Sequence, residues 1–592
     1  MGVLCGWSSS GGSCSKGPGG GGTPGHQRAP LASYSLSANQ LGDDGLRRLL
    51  ECLPQVPICG SLDLSHNGIS REGALCLVET LPSCPRVREA SVSPGSEQSF
   101  WIHFSQQEEA EKTLRLTRCC LGLQDLTVLL SLVTRTEGLL SLRVEEPWVG
   151  RAGVLALLEM CTQASGDITE ISISETQQQL YIRLEFPRQE NPEAVALRLA
   201  HCDLGTHHSL LVRQLVEACA RLQQLSLSQV NLCDVSSLLL QSLLLALSEL
   251  KKFRLASCRV SSQGLAHLAF GLSHCHHLEE LDLSNNQLGR EDTKVLMGAL
   301  EGKCWLKRLN LSNFLLGGPT LAALTEGLSH MTFLQSLCLS YNQIGDTGAQ
   351  HLAAVLPGLP ELRKIDLSAN GIGPAGGVQL VESLTLCKHL EELMLGYNAV
   401  GNPTALGLAH GLPQHLRVLH LPSSCLGPEG ALSLGQALDG CPHVEEISLA
   451  ENSLAGGVPH FRQGLPLLRH IDLVSCEIDN QTAKPLTANF ALCPALEEIL
   501  LSWNLLGDEA AAELARVLPR LGRLKRVDLE KNQITAHGAW LLAEGLAQVS
   551  GIQVIRLWNN PISSDMVRRL QSQEPRLDFA FFSNQPQASR GT

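Results

Sequence analysis

LEELDLSNNQL (278–288) is followed by LKRLNLSNFLL (306–316), LQSLCLSYNQI (334–344), LRKIDLSANGI (362–372) and LEELMLGYNAV (390–400), each beginning 28 residues after the last. The shared template is L-x-x-L-x-L-x-x-N-x-L, the pattern of a leucine-rich repeat. Alternation makes L-x-L a short strand with both leucines pointing to one face. A turn such as Gly345-Asp346-Thr347-Gly348 follows, and AQHLAAVL (349–356) then places apolar residues at helical spacing. Asp or Thr in such turns can cap the helix. The sequence therefore predicts an α/β solenoid of strand, turn and helix units. Parallel strands line the concave face and helices the convex face, and the greater width of the helices bends the stack into a horseshoe.

The asparagine position can be followed outward in both directions. It holds Asn39, Asn67, Asn286, Asn342, Asn370, Asn398, Asn452, Asn504, Asn532 and Asn560, and its carboxamide is suited to a hydrogen-bonded ladder between successive units. Cys119, Cys202, Cys258, Ser424 and Cys476 can substitute in part; Pro147, Val230 and Phe314 also fall there, and Val230 and Phe314 should interrupt the ladder. The step into Ser424 is 26 residues and that into Cys476 is 24. Two stretches, 87–114 with SFWIHF and 168–197 with LYIRLEF, depart from the template, and an extended strand is expected there in place of a helix. The division expected is a Gly/Ser-rich disordered segment over 1–30, a repeat domain over 31–577 of about twenty units, and a tail over 578–592. Each buried Leu contributes about 1.5–3 kcal/mol and relies on its neighbours. A charge at Leu367 or Leu395 should therefore split the array locally.

Composition agrees with a thin aliphatic core: aromatic residues are 4% of 592. The formal charge is −13, which disfavours binding driven by phosphate neutralisation and makes a basic protein surface the natural complement. The 21 cysteines include no C-x-x-C, and Cys84, Cys219, Cys275, Cys387, Cys441 and Cys493 recur three residues before a strand's first apolar residue. Such a slot reads as small buried thiols in a reducing compartment. The most apolar stretch, 238–250, is broken by polar residues and cannot span a membrane.

The sequence contains no G-x-S-x-G, no H-E-x-x-H and no complete phosphate loop, so neither catalytic residues nor a nucleotide, cofactor or metal site are expected. His276-His277 and His207-His208 have no second ligand pair at metal-site spacing. The inner wall is the better candidate. Tyr341, Tyr397 and Trp503 precede the ladder position and Trp558 lies one residue earlier; all four are expected on the concave surface as binding anchors. Asp282, Asp366, Asp472 and Asp528, with Asp63, share the middle of L-x-L, and Glu392, Glu446 and Glu498 lie nearby. The wall reads as an acidic stripe with aromatic points, and the partner expected is a protein with a basic surface.

The unit with its G-x-x-G-A-x-x-L turn resembles the ribonuclease-inhibitor-like group of repeats, which includes ribonuclease inhibitors, Ran GTPase-activating proteins and the sensor arms of NOD-like receptors. ANQLGDDGLRRLLECLPQV (38–56), RLWNNPISSDMVRRL (556–570) and DFAFFSNQPQ (578–587) are more specific. They resemble the C-terminal repeat region of a large CARD-containing NOD-like receptor that acts as MHC class I transactivator, and the resemblance covers 31–592. It implies a protein-binding scaffold in innate immune regulation and MHC class I gene control, cytoplasmic and also nuclear. No counterpart of the family's CARD and NACHT domains is expected in this sequence. A short isoform or fragment is expected, and nucleotide switching is not carried over. Two further functions stay open: a Ran-type GTPase-activating protein, for which Arg47, Arg48 and Arg71 are the arginines in the relevant region, and an inhibitor of the ribonuclease-inhibitor type.

Overall fold

In the computed structural model the middle leucine or isoleucine of each strand lies beside its counterpart in the next. Leu281 pairs in register with Leu309, Leu309 with Leu337, and so on through Ile365, Leu393, Leu419, Ile447, Ile471, Ile499, Val527 and Ile555. All of these are buried, while the strand residues on either side, such as Glu280 and Asp282, are partly exposed. One face of the sheet is thus an aliphatic column covered by helices, and the other carries the polar residues.

The structure describes residues 34–580 apart from 54–59, 82–83, 85–86, 94–100, 107–111, 118–138, 146–169, 176–179, 186–194, 201–221, 231, 233, 287–289, 302 and 304. The segment expected to be disordered, ladder positions Cys119, Pro147 and Cys202, and His207-His208 lie outside the described residues, as does the tail beyond 580. The chain divides into two compact units, Met1–Glu111 and Lys112–Thr592.

In the first unit, strands Tyr34–Ser35 (β1), Gly60–Asp63 (β2) and Val87–Val92 (β3) run parallel, and Trp101–Gln106 (β4) returns antiparallel to β3. Helices Gly42–Cys52 and Arg71–Thr80 connect the parallel strands. In the second, Lys112–Thr117 (β5), Leu139–Glu145 (β6) and Glu170–Glu175 (β7) are parallel. Leu180–Glu185 (β8) is antiparallel to β7 and to Val195–Ala200 (β9), and β9 resumes the parallel order with Leu222–Ser228 (β10) and Lys252–Ala256 (β11). The returns at β4 and β8 occupy the two irregular stretches. ISISE and LYIRLE alternate with period two, which a helix cannot bury on one side. From Glu280–Asp282 (β12) onward the strands are three residues long, and all but one are joined to the next by a helix such as Gly345–Val355, until Val554–Arg556 pairs with the closing Leu577–Asp578.

The asparagines form the ladder. Asn398 donates through Nδ2 to the Leu367 carbonyl of the previous unit (2.9 Å) and to Leu395 in its own (2.9 Å), while its Oδ1 accepts from Asn370 N (2.8 Å) and Ile372 N (3.1 Å). Cys258 and Cys476 reproduce the reach to the previous unit, donating from Sγ to the carbonyls of Leu227 (3.6 Å) and Leu449 (3.2 Å). Ser424 is too short and donates only within its own unit, to Pro422 O (3.2 Å). Val230 and Phe314 are buried and apolar, so the side-chain ladder stops there, although Phe314 N still donates to Asn342 Oδ1 (2.9 Å).

Two local expectations hold only in part. Asp479 and Thr535 cap their own helices, accepting from Thr482 N and His537 N. Asp346 does not cap its own helix. Its Oδ1 accepts from Gly373 N (2.7 Å) and Gly376 N (3.1 Å) at the start of the next helix, Pro374–Leu384. Asp508 does the same for Thr535 N (2.7 Å) and Gly538 N (3.0 Å). Capping therefore also ties neighbours together. Nor is every unit helical: the 24-residue step between Asn452 and Cys476 contains no helix. It is about one helical turn short, and Gly456, Gly457 and Pro459 disfavour a helix. The buried Phe461 fills the space, and the loop lies so close to helix Pro428–Leu438 that a Cβ on Gly435 would collide with the backbone nitrogen of His460.

The ladder separates two asparagines with identical donor roles. Asn370 also bonds the carbonyls on both sides, Leu339 (2.9 Å) and Leu367 (2.8 Å), but its buried Oδ1 has no partner. Asn398→Ala strands two N–H groups that Asn370→Ala does not. In chemical denaturation Asn398→Ala should cost about 2 kcal/mol more than Asn370→Ala.

Candidate functional site

The strands expose one polar face, and the turns after them form its edge. Among the described residues, the position before the ladder residue takes a left-handed backbone in unit after unit: Tyr341 (φ 56°), Ala369 (54°), Tyr397 (57°), Ser423 (49°), Glu451 (57°), Ser475 (56°), Trp503 (58°) and Lys531 (51°). The conformation costs roughly 1–2 kcal/mol per residue. A hydrogen bond to the next unit accompanies it each time, for example Tyr341 N to Ser368 O (2.8 Å) and Trp503 N to Glu530 O (2.9 Å). These residues are therefore not strand residues, as the sequence reading had them. They stand on the turn edge, with Tyr341 63%, Tyr397 51% and Trp503 56% exposed.

Acidic groups gather beside this edge. Burial pushes the Tyr397 hydroxyl above its ordinary pKa, and Glu451, Tyr341 and Asp472 add smaller contributions in the same direction. An open cleft next to Trp503 is lined by Glu451, Ser453, Ser475 and Glu477, where Ser453 Oγ donates to Glu477 (2.6 Å). The Lys531 ammonium lies 3.2 Å from the centre of the Trp503 ring and 5.2 Å from that of the half-buried Trp558, which it bridges.

The strand face itself is not the acidic stripe expected. Cations on neighbouring strands answer several of its carboxylates, Arg254 meeting Asp282 (3.3 Å) and Lys364 meeting Glu392 (2.6 Å), while imidazoles lie beside Glu446 (His420, 2.9 Å) and Glu498 (His470, 3.4 Å). Asp528 lies between Arg526 (3.0 Å) and Arg556 (3.7 Å). Asp366 accepts from Cys338 Sγ (3.5 Å) and Asp472 from Ser448 Oγ (2.9 Å). One residue before the strands a second row also alternates in sign, with Arg363–Glu391 (2.5 Å), Arg417–Glu445 (2.7 Å) and Lys525–Glu497 (2.5 Å). Lys525 holds the Glu497 carboxyl below its usual range, and Glu445 raises Arg417.

The sequence reading missed a row of arginines: Arg115, Arg143, Arg183, Arg198 and Arg254 share one position across strands β5 to β11. Their signal was the triplet itself, LRL at 114–116 and 197–199, LRV at 142–144, IRL at 182–184 and FRL at 253–255.

Among the described residues no three His, Cys, Asp or Glu side chains are grouped to hold a metal, and no helix is long and apolar enough to cross a membrane. Arg47 sits on helix Gly42–Cys52 beside Asp44 (3.2 Å), and the Arg71 side chain lies outside the described residues.

Of the recurrent thiols, Cys84, Cys275, Cys387, Cys441 and Cys493 are buried, and Cys219 lies outside the described residues. Cys275 and Cys387 donate to the carbonyls of Leu244 (3.7 Å) and Leu356 (3.5 Å). Lys303 takes that slot one unit after Cys275 and donates from Nζ to Cys275 O (2.8 Å).

Leucine-rich repeat family models match at 61–78, 274–296, 330–353 and 413–435, and with the parallel strands and outer helices they make this a leucine-rich repeat solenoid of the ribonuclease-inhibitor-like kind. The chain is 72% identical over 95% of its length to human Protein NLRC5, and 55% identical over 94% to that of mouse. It spans 33% and 35% of those relatives. Pig ribonuclease inhibitor is 28% identical over 46% of this chain and 55% of its own length. The chain belongs to the NOD-like receptor family, and its similarity is to the leucine-rich repeat region of NLRC5.

Burial raises the thiols of Cys275, Cys387, Cys441 and Cys493 to about 11, and that of Cys476 to about 12. At pH 8 a thiol titrating near 11 is roughly one part in a thousand thiolate, the reactive form. In the folded chain iodoacetamide should label the exposed Cys52 and Cys425 and spare these five until denaturant is added, as peptide mass spectrometry would read.

Proposed function

We propose that this chain is a non-catalytic protein-binding scaffold that engages a basic protein surface through its turn edge. Within its family the role proposed is regulation of innate immune signalling and of MHC class I gene expression, in the cytoplasm and also the nucleus. The similarity to NLRC5 supports the setting. One observation carries the binding mode: Tyr341, Tyr397 and Trp503 are held outward by the backbone, beside the carboxylates of Glu451, Asp472 and Glu477. Large aromatic groups anchor interfaces, and carboxylates around them select cationic partners and speed their capture. The reading involves no nucleotide, metal or cofactor, no direct nucleic-acid contact and no membrane insertion.

A second reading, an enzyme inhibitor, is favoured by the similarity to ribonuclease inhibitor. It uses the same acidic edge against a basic enzyme. A Ran-type GTPase-activating role has less support, because Arg47 is paired on a helix instead of projecting from a loop.

Affinity capture from cells, comparing the wild-type chain with Tyr397→Ala/Trp503→Ala, tests the proposal. Both side chains are exposed, so the variant should melt as the wild type does. It should lose most of the proteins that the wild type retains at moderate salt. An unchanged set of captured proteins contradicts the assignment. Retention of a basic ribonuclease by the wild type alone would select the inhibitor reading.

A further inference from the structure

We infer that the polar face of strands β5 to β11 is a second docking surface, opposite in charge to the first, which takes an acidic segment of a protein partner lying across the strands. The register puts Arg115 beside Arg143, and Arg183 beside Arg198; Ser172 and Ser226 fill the intervening places before Arg254. The alternate residues of these strands, such as Leu114, Leu116, Val144, Ile182, Leu197 and Leu255, are buried, so the arginines stand on the other face. Side chains of Arg115, Arg143 and Arg254 are more than half exposed.

Like charges directly opposite each other weaken a sheet. Further along the same face the chain avoids them: Lys252, Glu280 and Arg308 alternate in sign over successive strands, at 3.1 and 3.4 Å. The arginine row does not follow that rule, and basic residues outnumber acidic ones on β5 to β11 within a chain of charge −13. Glu145 meets Arg115 (2.8 Å), and Glu170 lies between Arg143 (3.7 Å) and Arg183 (3.2 Å). A guanidinium has five N–H donors, so one carboxylate each leaves Arg115 and Arg143 with donors facing solvent.

The row spans about 29 Å at the usual strand spacing, a length that an extended peptide covers in about nine residues. Planar guanidinium forks match carboxylates in pairs. A single-stranded nucleic acid presents a charge at every nucleotide and would set phosphates against Glu145 and Glu170. A peptide carries its carboxylates on flexible side chains that can turn away from Glu145 and Glu170, so an acidic peptide is the better occupant.

The full chain should be titrated with a glutamate homopolymer long enough to span the row, and separately with oligo(dT), over a salt series. The wild type should bind polyglutamate more tightly than oligo(dT), with affinity falling as salt rises. Arg143→Gln/Arg198→Gln should weaken polyglutamate by about tenfold or more, while Arg143→Lys/Arg198→Lys should lose less. Circular dichroism melting confirms that each variant is folded. Should the Gln pair melt early, phenylglyoxal labelling of the wild type replaces it: polyglutamate should protect Arg143 and Arg198. Tighter binding of oligo(dT), a folded Gln pair that binds like wild type, or labelling that polyglutamate leaves unchanged would overturn the inference. Tyr397→Ala/Trp503→Ala should bind polyglutamate as the wild type does, so failure at one surface is distinguishable from failure at the other.

Discussion

A buried carboxamide between adjacent turns of chain is the interaction on which the rest depends. Leu367 O receives hydrogen bonds from Asn370 in its own unit (2.8 Å) and from Asn398 in the next (2.9 Å). Two units are thereby locked at one register. A strand displaced by one residue would turn its leucines to solvent, so the carboxamide and the aliphatic column enforce the same alignment. Asp346 and Asp508 extend the same coupling to the helices by capping the helix of the following unit. Stability in such a stack is a sum over neighbours, and no unit can bury its apolar face by itself.

Register also determines what the surface can do. Residues 28 positions apart in sequence become lateral neighbours, as Lys364 and Glu392 show. A substitution repeated from unit to unit therefore makes a line, not a scatter of points. From Lys252–Ala256 to Val554–Arg556 those lines are in large part charge-compensated, with Lys or Arg opposite Asp or Glu. The two surfaces proposed for recognition lie where that pattern changes: the turn edge with Tyr341, Tyr397 and Trp503 near Glu451 and Glu477, and the row nearer the start of the second unit where Arg115 lies beside Arg143 and Arg183 beside Arg198. The edge depends on a backbone feature as much as on chemistry. A left-handed residue follows each three-residue strand, and a hydrogen bond to the next unit accompanies that strained conformation.

The solenoid was legible because its evidence is repeated: the same apolar spacing and the same Asn recur through most of the chain. The partial substitution by Cys258 and Cys476 was legible from size and donor chemistry, as was the break at Phe314. The helix-free unit before Cys476 was not, because a four-residue shortening removes one turn without altering the strand motif. The acidic stripe was misread for a related reason. Asp282 and Glu392 were counted along one strand each, whereas Arg254 and Lys364, which answer them, come from the preceding unit. The arginines escaped notice because a search for basic clusters runs along the chain, and this cluster exists only across it.

Hydrogen exchange on a Leu395→Asp variant, followed peptide by peptide, tests the nearest-neighbour account most directly. Leu395 is fully buried, so a carboxylate there cannot be accommodated without opening the stack. Protection should fall in the units built on Lys364–Asp366, Glu392–Met394 and Val418–His420, while Glu498–Leu500 and the strands after it keep theirs. Uniform loss of protection over the whole second unit would mean that it folds as one cooperative globule, and would contradict the account.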